Sequence, residues 1–256
     1  MMEFGILQFV TGMLVFVRVT AMLVLAPGFG NKAVPASVKV ALGAALAVVL
    51  IPLVAAEHPA VDLQLGPLVL LALKEAATGL LMGFVTGLVF EGVGLAGDLM
   101  GFDLGLSLAQ LYDPETGTAN NVVSRMLSLT ALMVFFAING HHFILETLFA
   151  SYRAVPLGAF HVSGALSSTL VTLAGMTLVV GVKLAAPVLV TSFLLNIGLA
   201  VLARVAPQIN VIFVTISLKT GAGLFVILAS APLIVAVFRK MLLSFEDGLM
   251  DILRVM

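Results

Sequence analysis

PLVLLALKEAATGLLMGFVTGLVFEGVGLAGDLMGFDLG, residues 67 to 105, is an apolar run with five charges and glycine at nearly every turn. Read as one helix, residues 67 to 100 extend roughly 50 Å at about 1.5 Å per residue, against a hydrocarbon core of about 30 Å. Such a rod must bend, tilt steeply or leave the bilayer. Its glycines are regular: Gly79, Gly83 and Gly87, then Gly97, Gly101 and Gly105, each trio at four-residue spacing. On a helix that spacing sets small residues on one ridge, so that a neighbouring backbone can approach closely. The ridge fits ordinary packing between helices or, more sharply, an interface between subunits.

Working outward, further apolar runs fall at 4 to 26, 38 to 56, 122 to 150, 166 to 203 and 209 to 243, separated by Pro, Gly and Asn signals that end helices. Of the 256 residues, 61% are hydrophobic and only 10% charged, against about 25% charged in soluble domains. With a mean hydropathy of +1.22, the chain reads as an integral membrane protein of about five to seven helices and no strands. Pro187 and Pro232 are the expected kink sites in the long late runs. The first run lacks a basic start and carries Arg18 inside it, so it reads as a retained helix, not a signal peptide.

Several function classes are excluded. The absence of cysteine removes disulfides, thiolate metal sites and cysteine nucleophiles. No basic run offers nucleic acid an electrostatic footprint, and no G-x-x-x-x-G-K-[ST] motif offers a nucleotide site. Basic residues near the breaks divide evenly between the two presumptive sides, so the positive-inside rule gives no orientation.

Arg18, Lys74, Glu75, Glu91, Asp98, Glu146, Lys183 and Lys219 lie in or beside apolar runs, where an unpaired charge costs at least ~2.5 kcal/mol at bilayer depth. They are expected to face protein or water. Lys74 and Glu75 point about 100° apart on a helix, so each needs a partner on another helix or chain. Glu91 and Asp98, seven apart, share a face. A proton relay through Glu75, Glu91 and Asp98 would make a secondary ion-coupled transporter.

Two weaker patterns touch catalysis. NGHHFILE (139 to 146) sets His142 and Glu146 one turn apart, which is metal-ligand spacing without the rest of a zinc signature. GLSLA (105 to 109), with Asn139 and His141, is faintly similar to the serine and histidine of intramembrane serine proteases of the rhomboid family. Ser107 is followed there by the bulky Leu108, where that family has a small residue. The expectation is no enzyme, no metal and no cofactor.

Taken in order, Arg18, PGFG (27 to 30), Lys74-Glu75, Gly79, Gly83-Phe84, Ala96-Gly97, Gly101, Gly105, Asp113-Pro114, NGHH (139 to 142), Ser151-Tyr152, Pro156, Pro187, Arg204, APQIN (206 to 210) and Lys219 resemble the FliR family. These are bacterial flagellar export-gate proteins, similar to the T subunit of injectisome type III secretion. The resemblance spans essentially the whole chain. KLAAP (183 to 187), QIN (208 to 210), Lys219 and Pro232 look like the small Q subunit of the same gate. It therefore implies an all-α fold of helical hairpins with long kinked helices, in which a P-like portion (1 to 165) is fused to a Q-like two-helix hairpin (166 to 256) within a helical multi-subunit assembly. The implied partners are P-like and Q-like gate subunits, other export components and unfolded substrates in transit, at the bacterial inner membrane and flagellar basal body.

The resemblance also gives a task to GLSLAQLYDPETGTANN, 105 to 121: a plug that projects into the channel. Leu106, Leu108, Leu111 and Tyr112, with Ser107 between them, offer the apolar bulk of a hydrophobic constriction. Gly101 and Gly105 supply hinge freedom. Asp113 and Pro114 begin a turn, and Asn120 or Asn121 can cap the helix that starts near 122.

Overall fold

The computed structural model describes residues 2–31, 34–55, 65–106, 121–208 and 210–256. Over those residues the protein is all-α: α1 (Met2–Leu25), α2 (Ala36–Ala55), α3 (Leu65–Asp103), α4 (Val122–Ala137), α5 (Gly140–Ala154), α6 (Gly164–Val205) and α7 (Val211–Val255). Five of them are long and apolar enough to cross a membrane, and six spans result if the bent α4–α5 pair counts as one.

The helix ends follow local chemistry. After α1, Pro27 is followed by Gly28 at φ 81, and the Gly30 N–H closes on the Ala26 carbonyl at 2.7 Å. Ser163 caps α6, its Oγ accepting the Leu166 N–H at 3.0 Å. The apolar run at 122 to 150 is two helices bent by 70°, because Asn139 takes the left-handed conformation at φ 60, which asparagine tolerates better than most residues. The last run continues as helix to Val255. Past residue 243 its character changes to a one-sided pattern, with Phe245, Leu249, Ile252 and Leu253 buried and Asp247, Asp251 and Arg254 outside the core. Helical structure runs through Pro52, Pro187 and Pro232 without interruption.

Packing divides the chain into two compact units: Met1–Leu88 with Phe136–Ala174 and Leu243–Met256, and Val89–Phe135 with Gly175–Leu242. In the first, α1 lies in the notch cut by the first glycine trio of α3. A Cβ on Gly79 would collide with the Arg18 carbonyl, one on Gly83 would sit 2.6 Å from the Met22 carbonyl, and one on Gly87 would lie 3.5 Å from that of Leu25. The C-terminal turn of α7 belongs to this unit as well, held by the Ser163 hydroxyl on the Val255 carbonyl at 2.8 Å.

In the second unit, α4 returns antiparallel along the next glycine stripe of α3. A Cβ on Gly97 would collide with the backbone of Ser124, and one on Gly101 with the side chain of Asn121. A Cβ on Gly181 of α6 would come within 3.0 Å of the Gly92 carbonyl. Phe90 makes edge-to-face contacts with Phe135 at 5.5 Å and Phe238 at 5.6 Å, joining α3, α4 and α7. Both glycine ridges of α3 are therefore filled by this chain's own helices, which is the packing reading of the repeat and not the intersubunit one. Gly105 is not on a ridge; it terminates the helix.

Candidate functional site

Two polar constellations stand out, one in each unit. In the first, Arg18 of α1 and Glu75 of α3 are fully buried and meet in a bidentate pair, Nε to Oε2 at 2.6 Å and Nη2 to Oε1 at 3.1 Å. The guanidinium also donates to the Ser151 carbonyl at 3.1 Å, the Ser151 hydroxyl at 3.2 Å and the Val155 carbonyl at 3.0 Å. Its carbon lies 4.3 Å from the centre of the Tyr152 ring, a cation–π contact. Glu75 Oε1 accepts a further bond from the Gly158 N–H at 2.8 Å. Beside it, Lys74 donates to the Gly158 carbonyl at 2.9 Å. Buried charge persists because so many donors and acceptors on this node are matched, and α1, α3 and the end of α5 are pinned at one point.

The second constellation is the base of the segment 105 to 121. The end of α3 is closed in a Schellman pattern: the Leu106 N–H reaches the Gly101 carbonyl at 3.0 Å and the Gly105 N–H reaches that of Phe102 at 3.1 Å, with Gly105 at φ 77. Across from it, Asn121 caps α4 through its Oδ1 and the Val123 N–H at 3.0 Å, and its Nδ2 donates to the Gly97 carbonyl at 3.2 Å. The Ser124 hydroxyl donates to the Gly94 carbonyl at 2.9 Å. Gly101 thus holds Leu106 through its carbonyl and Asn121 against its α-carbon, so both ends of the segment are fastened to one turn of α3.

α7 fastens the same place. Lys219 donates from Nζ to the Asp103 carbonyl at 3.3 Å and sits 3.6 Å from its Oδ1. The Thr220 hydroxyl donates to the Leu104 carbonyl at 3.4 Å, and the buried Leu104 side chain fills the space beside Gly223. Asp103 was not singled out in the sequence, where it looked like an ordinary helix end.

Of the residues expected at the plug, Ser107, Leu108, Leu111, Tyr112, Asp113 and Pro114 lie outside the described residues, and Leu106 is half-buried at the segment's root. Gly101 is helical, and what its lack of a side chain provides is room for Asn121. Glu91, Asp98 and Lys183 are exposed on the second unit and make no ion pair or hydrogen bond among the described residues. The rings of His141 and His142 lie 4.3 Å apart, tilted by 57°, and among the described residues no three His, Cys, Asp or Glu groups converge as metal ligands would.

Comparison with known proteins places this arrangement in context. Residues 9–245 match the family model described as bacterial export proteins, family 1. The chain is similar to the flagellar biosynthetic protein FliR of Bacillus subtilis, with 28% identity over 89% of this chain and 88% of that one. It is likewise similar to FliR of Caulobacter vibrioides, at 31% identity over 82% and 84% of the two chains. The Yop proteins translocation protein T of Yersinia pestis is 28% identical over 75% of this chain and 74% of its own.

Proposed function

Because this chain belongs to the bacterial export proteins, family 1, we propose that it is a core subunit of the flagellar type III export gate, lining and closing the channel through which unfolded proteins cross the inner membrane. On this reading it performs no chemistry of its own. Residues 1 to 165 form the P-like portion and 166 to 256 the Q-like hairpin, assembled with separate P-like and Q-like chains and other export components at the basal body. The extent of the apolar helices supports such an assembly. α6 and α7, at 42 and 45 residues, would extend over ~60 Å if straight, about twice the hydrocarbon core. Large apolar side chains such as Phe193, Phe213, Phe225 and Leu228 are 63–72% exposed along them, apolar surface for lipid or neighbouring subunits to cover.

The observation that carries the closing role is the fastening of both ends of 105 to 121 to one turn of α3. That geometry fixes where the chain leaves α3 and where it rejoins α4, and the leucines and tyrosine between are the residue types a water-excluding constriction needs. Deleting residues 106 to 112 is expected to leave the assembly intact while raising its permeability to small ions. An intact assembly that stays tight after the deletion overturns the reading.

The rival reading, an ion-coupled transporter with a relay through Glu75, Glu91 and Asp98, meets a physical obstacle at its first member. Both Glu75 oxygens are engaged, by Arg18 and by the Gly158 N–H, so no free carboxylate is offered there. Neutralising Glu91 or Asp98 in liposomes holding this chain alone should change no uptake.

A further inference from the structure

We infer that residues 155 to 163, which connect α5 to α6, are a rigid joint and not a tether, and that Lys74, Gly158 and Ser163 position the base of the α6–α7 hairpin for a Q-like partner. The inference rests on the division into P-like and Q-like portions proposed above and adds what holds them in register. Every contact that carries it lies within the first unit. The first fastening is at Gly158. Lys74 and Glu75 point about 100° apart on α3, yet both reach this one residue: Lys74 Nζ donates to its carbonyl at 2.9 Å, and its N–H donates to Glu75 Oε1 at 2.8 Å. Both backbone polar groups of Gly158 are thus held by charged side chains, in bonds stronger than neutral ones. The position demands glycine. It stands at φ 76, third in a turn that the Ala159 N–H closes on the Pro156 carbonyl at 3.0 Å, which is the glycine position of a type II turn. A Cβ there would also collide with the Leu71 side chain.

The second fastening is at the far end of the connector. The Ser163 hydroxyl accepts the Leu166 N–H at 3.0 Å, capping α6, and donates at 2.8 Å to the carbonyl of Val255, where α7 ends. One hydroxyl therefore serves two helix ends. The His161 N–H adds a bond to the Met256 carbonyl at 3.2 Å. Further along, a Cβ on Gly248 of α7 would sit 2.8 Å from the Leu173 side chain of α6, so the two helices stay in close contact. With the Val155 carbonyl accepting from Arg18 at 3.0 Å, ties to other elements fall at 155, 158, 161 and 163 and leave no stretch longer than two residues unheld. A tether would expose its backbone to water instead. Because the ties run to α1 and α3 at one end and to α7 at the other, slipping the connector by one residue would break them together, so the base of the hairpin takes one register against α3.

Hydrogen exchange of the complex purified in mild detergent tests the joint. Lys74→Met removes the tie to the Gly158 carbonyl and should speed exchange about tenfold, not only in 155 to 163 but also in 164 to 174 and 243 to 256, with 122 to 135 unchanged. Lys74→Arg, which can still donate, should retain most of the protection. Ser163→Asp keeps a cap for α6 but cannot donate to Val255, so it should expose 250 to 256 while 164 to 167 stay protected. In the assembly, Lys74→Met should lower recovery of the Q-like chain several-fold and leave the P-like chain and the level of this chain unchanged. Unchanged exchange in Lys74→Met, or faster exchange confined to 155 to 163, overturns the joint. Faster exchange in all three segments with undiminished Q-like recovery overturns its part in placing that partner. Absence of both companions from the wild-type preparation overturns the gate reading instead, and the exchange pattern then still decides the joint.

Discussion

Arg18 illustrates how one residue can organise a membrane protein's interior. Its guanidinium makes five hydrogen bonds to Glu75, Ser151 and Val155, and its removal leaves a buried carboxylate without its cation and the Val155 carbonyl without its side-chain donor. Breaking a buried pair costs about 3–5 kcal/mol, so Arg18→Met and Glu75→Gln should each lower the detergent melting temperature markedly. The double variant should recover only part of the loss, because the Val155 carbonyl loses its side-chain donor and the Ser151 carbonyl one of its two donors when Arg18 is replaced. Full recovery in thermal melts would mean that those backbone contacts contribute nothing. The charges of this node were legible as ions in apolar runs; their partners were not. Arg18 and Glu75 are 57 positions apart, and backbone carbonyls leave no mark on a sequence.

At the scale of the element, α3 is the organising helix. Its four-residue glycine spacing announced close approach, and the structure supplies the neighbours: α1 along Gly79, Gly83 and Gly87, α4 along Gly97 and Gly101. Which neighbours these would be could not be read, since a glycine ridge specifies distance and not identity. Gly79→Ala and Gly97→Ala put a methyl group into backbone and should each cost about 1–3 kcal/mol. Gly175→Ala and Gly198→Ala, with nothing within 4 Å, should be neutral or slightly stabilising in the isolated chain, because alanine favours helix over glycine by ~1 kcal/mol. Equal losses at all four sites in denaturation of the purified chain would contradict the packing described. The start of α4 was legible from Asn120 or Asn121 as a cap, whereas Gly105 read as part of a ridge and a hinge where it ends α3, and the bend at Asn139 was hidden inside an apolar run whose composition hardly changes across it. The tail of α7 was missed for the opposite reason: its pattern becomes amphipathic, so a search for uniformly apolar residues stops near 243.

For the whole molecule, family membership and helix lengths point the same way. An all-α membrane chain with helices of 39, 42 and 45 residues exposes phenylalanines along two of them, and its exposed Glu91, Asp98 and Lys183 have no ion-pair partner among the described residues, charges that lipid cannot cover. Affinity purification in mild detergent should therefore bring down P-like and Q-like chains, identified by mass, and Glu91→Gln or Lys183→Met should weaken that co-purification without changing the melting of the isolated chain. Recovery of this chain alone under conditions that preserve the basal body would count against an assembly.

The most direct test of gate closure is ion conductance across a planar bilayer containing the purified complex, with this chain either intact or lacking residues 106 to 112. The account predicts a closed, silent membrane in the first case and sustained current in the second. Silence in both, with the shortened chain verified in the inserted complex, would contradict it.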